Sequence, residues 1–216
     1  MSKTDLLVEI TTPVSASAEL TAKAKALSET AIKMGSGIRV VENSSEAASG
    51  LTVKVEGLDV VNPTPGTGDF PSWLMEAAVL RELKPRGLLF LCVANSARSQ
   101  LGEGVARSLA PSEVRVQSAG SHPTGVRPEA AAVMAELGID TSIHSSKNVN
   151  EIDPSTVDTV ITLCGEEECP LFLGKALRLH WGLSDPAAVQ GDDETRLNAF
   201  RQIREELRRR LSVVFG

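Results

Sequence analysis

The residues best suited to chemistry are three cysteines and one arginine: Cys92, Cys164, Cys169 and Arg98. Cys92 ends the apolar run GLLFLC (87–92), which reads as a buried strand. Arg98 stands just before a helix expected from about Ser99, with Leu101, Val105 and Leu109 at fourfold spacing. A strand-to-helix loop gathers unpaired backbone N–H groups, and with the helix dipole these favour an anion. A thiol at the mouth of such a loop is held toward thiolate. The planar guanidinium of Arg98 can hold two oxygens of a tetrahedral oxyanion and offset charge as a nucleophile attacks. Cys-x5-Arg across this junction therefore predicts nucleophilic attack on phosphate or a phosphate analogue. Ser99 can donate a hydrogen bond to the thiolate, and Asn95 tolerates the left-handed backbone a tight cradle needs.

Cys164 and Cys169 lie in TLCGEEECP, at the end of a second apolar run and five positions beyond it. They read as packed small residues, as redox thiols or as metal ligands. Zinc lacks ligands: His144 and His180 are the nearest histidines and neither has metal-like spacing. The intervening GEEE reads as surface. Three thiols, an odd number, are too few for a disulfide scaffold and suit a reducing compartment, the cytoplasm.

The elements that must position these residues alternate along residues 85–216. Strands are expected at 87–92, 114–120, 156–164 and 176–182. A helix starts at Pro128 with Val133, Met134 and Leu137 inward, and a long last helix is striped by Leu197, Phe200, Ile203, Leu207, Leu211 and Val214. This predicts a parallel sheet covered on both faces, with its site at the strand C-termini. Residues 1–84 read as a smaller α/β domain. Its strands are expected at 6–10, 38–43 and 51–61. One helix is capped by Ser17 and stopped by Gly35; another opens at Pro71, after a Pro/Gly-rich stretch at 61–71. The two halves are equally acidic within a net charge of −6, so no basic surface points to nucleic acid, and no apolar run predicts a membrane span.

CVANSARSQ, SAGSHPTGVRPEAAAVMAELGIDTSIHSSK, TLCGEEECP and LHWGLSDP, within residues 87–190, resemble arsenate reductases built on the low-molecular-weight tyrosine phosphatase fold. The resemblance implies a three-layer α/β/α domain with a four-stranded parallel sheet. It implies an oxyanion cradle from Val93, Ala94, Asn95, Ser96, Ala97, Arg98 and Ser99, taking arsenate with phosphate or sulfate as analogues. It implies that Cys92 attacks arsenic while Asp185 protonates the leaving hydroxyl. Cys164 then displaces arsenite, and Cys169 moves the disulfide to Cys164–Cys169 for reduction by thioredoxin, with no tightly bound cofactor. Asp185-Pro186 taken alone reads as a turn.

The four-residue spacer between Cys164 and Cys169 is shorter than in the best-known thioredoxin-coupled members. It leaves open that Cys169 is silent and that a small thiol such as glutathione or mycothiol resolves the intermediate instead. Glu103 and Ser118 fall where some relatives bind a monovalent cation; read alone, they are a surface carboxylate and a strand-end hydroxyl. The rivals are a phosphotyrosine or phosphate-ester phosphatase, disfavoured because SDPAAV lacks the tyrosines that follow the acid in phosphatases, and a non-catalytic oxyanion or redox sensor. The first domain resembles a thioredoxin-like fold that has lost its CxxC, since TTPVSASAEL stands in that place. Such a module can dock a partner, cover the site or form a homodimer. Trp73, Leu74 and Met75 read as core or interface.

Overall fold

The computed structural model describes residues 6–35, 38–60, 70–165 and 169–216. The Pro/Gly-rich stretch up to residue 69 and Glu166, Glu167 and Glu168 lie outside the described residues. The chain divides into two compact units, Met1–Lys84 and Pro85–Gly216.

The first unit contains β1 (Leu6–Pro13), α1 (Ala18–Met34), β2 (Ile38–Ser45), β3 (Thr52–Val55), β4 (Leu58–Asp59) and α2 (Ser72–Leu83). The sheet order is β2-β1-β3-β4, with β1–β2 parallel and the other pairs antiparallel. Leu6, Val8 and Ile10 alternate inward on β1 and meet Val53 and Val55 of β3 on one buried face. Ala24, Leu27, Ala31 and Met34 give α1 its apolar stripe, and Ser17 caps it by accepting from the Leu20 N–H. Leu74 and Met75 of α2 are buried and Trp73 is half-buried.

The single strand expected at 51–61 is instead a hairpin. Glu56 and Gly57 both take positive φ (51° and 77°), the pairing of a tight two-residue hairpin turn. The Glu56 N–H donates to the Leu7 carbonyl at 2.9 Å, and this holds a non-glycine residue in that conformation.

The second unit contains β5 (Gly87–Cys92), α3 (Arg98–Leu109), β6 (Arg115–Gly120), α4 (Pro128–Ala135), β7 (Thr159–Thr162), β8 (Leu177–His180) and α5 (Asp193–Phe215). Its sheet is parallel throughout, in the order β6-β5-β7-β8. All six residues of β5 are buried, the mark of a central parallel strand covered on both faces. On one face Phe90 packs beneath α3. On the other, Leu89 and Leu91 join Val149, Ile152, Val160 and Phe172. Short 3₁₀ turns at Val149–Glu151 and Pro154–Thr156 supply part of that second cover.

β7 starts later than the expected 156 because Pro154–Thr156 form a turn capped by Asp153, and it ends at Thr162. α4 ends at Ala135, and Leu137 is exposed rather than inward. The chain reverses there, with Gly138 at φ 70° and the Ile139 N–H bonded to the Met134 carbonyl. Arg201 and Arg204 of α5 bind the Glu136 carboxylate just past α4 and lower its pKa to about 2. No helix among the described residues is long and apolar enough to cross a membrane.

α3 packs closely on β5 at Gly102. A Cβ there meets the Phe90 ring at 2.8 Å, and that ring is fully buried. Helix propensity alone favours Gly102→Ala by about 1 kcal/mol. Overpacking costs about 1–3 kcal/mol. Urea denaturation of Gly102→Ala is therefore expected to give a net loss of about 1 kcal/mol, opposite in sign to the propensity effect.

Candidate active site

Cys92 closes β5, and the next five residues turn the chain into α3. The Val93 carbonyl accepts from His122 N, the Ala94 carbonyl from Thr124 N and the Ser96 carbonyl from Arg127 N, at 2.9–3.1 Å. The Asn95 carbonyl accepts from Gln100 Nε2 and Ser146 Oγ. In a trans peptide the N–H points opposite to the preceding carbonyl. The N–H groups of Ala94, Asn95, Ser96 and Ala97 are thus turned away from those partners. At the start of α3, Ala97 has no capping side chain, so the first helical N–H groups add to the same positive end.

Asn95 is the hub of the loop. It is fully buried at φ 44°. Its Nδ2 donates to Ser99 Oγ and Ser118 Oγ, each at 2.8 Å, and its Oδ1 accepts from the Lys147 N–H at 2.7 Å. Ser99 Oγ lies 2.9 Å from Cys92 Sγ. Because Ser99 already accepts from Asn95, its own proton is available to the sulfur. That is the donor a thiolate needs.

Gly120 pairs opposite Cys92 in β6. An added Cβ there would lie 2.4 Å from the Val93 carbonyl and 2.8 Å from Asn95 N, so the loop's close approach requires glycine.

Arg98 is buried. Its Nη1 donates to the Leu183 carbonyl at 3.1 Å, and its Nη2 lies 3.6 Å from Asp185 Oδ1. Asp185 also caps the 3₁₀ turn Pro186–Ala188 through the Ala187 N–H. The turn and the acid position are compatible: one carboxylate serves the turn and faces Arg98. A cavity of about 620 Å³ is lined by Arg98, Gly165, Leu183, Ser184, Asp185 and Ala188.

Cys164 lies two residues beyond β7, beside the end of β5, where the Leu163 N–H bonds the Leu91 carbonyl. It is fully buried, whereas Cys169 is half-exposed. Burial pushes the Cys164 thiol pKa well above the ordinary range. A hydrogen bond with Cys169 and the charges of Cys169 and Cys92 push the same way, while Arg98 pulls it down. Cys169 lies near enough to Cys164 to act on its thiol, and Cys92, Arg98, Cys164, Cys169 and Asp185 gather around the ends of β5 and β7.

Glu103 and Ser118 also meet, with Ser118 Oγ donating to Glu103 Oε2 at 2.5 Å. The carboxylate is buried rather than on the surface. Two cations from the chain itself face it: Arg107 Nη2 at 2.6 Å from Oε1 and Lys147 Nζ at 3.7 Å from Oε2. Among the described residues no group of three or more His, Cys, Asp or Glu could hold a metal ion. Sequence reasoning did not single out Gly120, Gln100 or Lys147. Gly120, at the end of an alternating strand, was the one with a readable signal.

Residues 87–215 match the family described as low molecular weight phosphotyrosine protein phosphatase. The chain belongs to that family. Among its relatives, the arsenate reductase of Halalkalibacterium halodurans is 39% identical over 128 residues, 58% of this chain and 92% of the relative. The arsenate reductase of Bacillus subtilis is 39% identical over 126 residues, 57% of this chain and 91% of the relative. Among solved structures, an arsenate reductase in the oxidized state superposes with TM-score 0.52 at 30% identity, covering 60% of this chain and 96% of that one. An arsenate reductase in the phosphate binding state gives 0.51 at 32% identity, covering 59% and 94%.

In this chain the loop sits against bare backbone at Gly120. Gly120→Ala presses on backbone atoms that have no flexible end to move. Urea unfolding is expected to show a loss of about 1–3 kcal/mol. Calorimetric titration with inorganic phosphate is expected to show binding weakened more than tenfold, a cost above about 1.4 kcal/mol.

Proposed function

We propose that this protein reduces arsenate to arsenite by a three-thiol relay. The observation that carries the reading is that Cys164 and Cys169 lie together beside Cys92 and Arg98, because a phosphatase needs neither second thiol. Arsenate occupies the loop, held by the N–H groups of residues 93–98 and the Arg98 guanidinium. The Cys92 thiolate forms a sulfur–arsenic bond as an arsenate hydroxyl leaves as water with a proton from Asp185. The Cys164 thiolate then attacks the Cys92 sulfur. The sulfur–arsenic bond breaks, its electron pair stays on arsenic, and arsenite departs from a Cys92–Cys164 disulfide. Cys169 attacks Cys164, releases the Cys92 thiolate and leaves a Cys164–Cys169 disulfide. An external dithiol of the thioredoxin type reduces it, with a small thiol as the alternative.

The raised pKa of Cys164 gives this order a physical basis. Before arsenate is attacked, burial, the Cys169 hydrogen bond and the charges of Cys169 and Cys92 hold Cys164 toward the neutral thiol, with Arg98 opposing them.

Residues 1–84 contain no cysteine and take no part in thiol exchange. We assign them as a separate α/β module with a non-redox role, and residues 85–216 as the reductase domain. Exposure of Cys169 to exchange suits the cytoplasm. The absence of any tyrosine in the chain fits the reductase better than a phosphatase whose acid loop carries tyrosines.

The test is arsenate-dependent NADPH oxidation with thioredoxin and its reductase, with phosphate-ester hydrolysis assayed in parallel. Wild type is expected to turn over. Cys164→Ser is expected to stop after at most one arsenite per protein, and Cys169→Ser to stall after one. Ester hydrolysis that survives both substitutions, without arsenate-dependent oxidation under any thiol reductant, would establish the phosphatase instead.

A further inference from the structure

Lys147 lies outside the relay, yet both its ends reach into the Asn95 network. Its backbone N–H donates to Asn95 Oδ1 at 2.7 Å. Its ammonium donates to the Ser145 carbonyl at 3.0 Å and faces Glu103 Oε2 at 3.7 Å. Glu103 Oε2 accepts the Ser118 proton, and Ser118 Oγ accepts from Asn95 Nδ2. The path returns to Lys147 through Asn95 Oδ1, closing a ring.

Two groups set the hydrogen-bond directions in this ring: the Glu103 carboxylate, and the Lys147 backbone N–H, which can only donate to Asn95 Oδ1. A carboxylate can only accept, so an ionised Glu103 forces Ser118 to donate to it. Ser118 then offers its lone pair to Asn95, which fixes the amide with Nδ2 inward. The second Nδ2 proton goes to Ser99, which leaves the Ser99 proton for Cys92 Sγ. Glu103 is 1% exposed, and a carboxylate buried that deeply stays charged only with matched cations. Arg107 neutralises Oε1 and is itself tied to the Val116 carbonyl. Lys147 is the cation on Oε2, the oxygen that receives the Ser118 proton.

We propose that Lys147 is a positioning residue: its ammonium sets the polarity of the chain Glu103–Ser118–Asn95–Ser99 and so keeps the Ser99 hydroxyl aimed at the Cys92 sulfur. This rests on the reading of Cys92 as the nucleophile. The charged or titratable groups around the chain are Glu103 and Arg107 on α3, Lys147, and His144 and Asp140 in the segment after α4. Burial and the nearby Arg107 and Lys147 lower the pKa of His144, while Glu103 and Asp140 oppose them. His144 Nδ1 lies 3.1 Å from Gln100 Oε1.

The test is the pH profile of Cys92 alkylation by iodoacetamide, read by peptide mass spectrometry on the full chain. Removing a half-buried charge partner costs a factor of about 3–10. Lys147→Met is therefore expected to move the midpoint of the Cys92 profile up by about half to one pH unit. Lys147→Arg, which keeps the charge, is expected to restore it. Ser118→Ala breaks the chain in the middle with every charge in place and is expected to give the same upward shift, even if Lys147→Met folds poorly. Wild-type midpoints in both Lys147→Met and Ser118→Ala would overturn the proposal. So would a shift in Lys147→Met that Lys147→Arg fails to reverse while Ser118→Ala leaves the midpoint alone. The readout needs no arsenate, so a protein that shows both shifts yet reduces none retains this positioning role and loses the reductase reading.

Discussion

The active-site arrangement depends on one buried amide. Asn95 holds a left-handed backbone that most residues resist, and it does so because three side-chain hydrogen bonds over-determine it. Its two donors and one acceptor reach α3, β6 and the segment ahead of the Val149 turn. The same residue therefore curls the loop, joins three chain segments and sets the direction of the Ser99 hydroxyl. An aspartate in its place would keep the backbone preference but lose both donors, leaving Ser99 and Ser118 without the bonds that orient them.

Around that amide the site separates charge from reserve. Cys92 has a donor hydroxyl, a helix N-terminus and the nearby Arg98, all of which favour an anion or the attack upon one. Cys164 has burial and a second thiol, which favour the neutral form. Two cysteines at the ends of adjacent parallel strands thus receive different surroundings from the same topology. The proposed relay uses this difference: a Cys164 held neutral at the start does not compete with Cys92 for the oxyanion.

Much of this was legible in the sequence because local chemistry dictated it. Cys92 and Arg98 bracket a strand-to-helix junction that periodicity alone locates, and Ser99 and Asn95 follow from hydrogen-bonding capacity and backbone preference. What was not legible depended on long-range contact. Lys147 lies 52 positions from Asn95, and nothing in the polar stretch TSIHSSK announces a ring closed through Glu103. Glu103 reads either as a position where some relatives bind a cation or, taken alone, as a surface carboxylate, whereas its carboxylate turns inward toward Arg107 and Ser118. The hairpin at Glu56-Gly57 escaped because glutamate rarely takes positive φ, and only the bond to Leu7 from the neighbouring strand makes it tolerable there. Leu137 misled in the opposite sense: its spacing fits the helix, but the chain has already reversed at Gly138.

The most direct measurement of the three-thiol account is disulfide mapping by mass spectrometry after reduced protein meets one equivalent of arsenate with no other reductant. The account predicts one arsenite released per protein and a Cys164–Cys169 disulfide with Cys92 recovered as a free thiol. Arsenite release with Cys164 and Cys169 both still free, or no oxidised thiol at all, would contradict it.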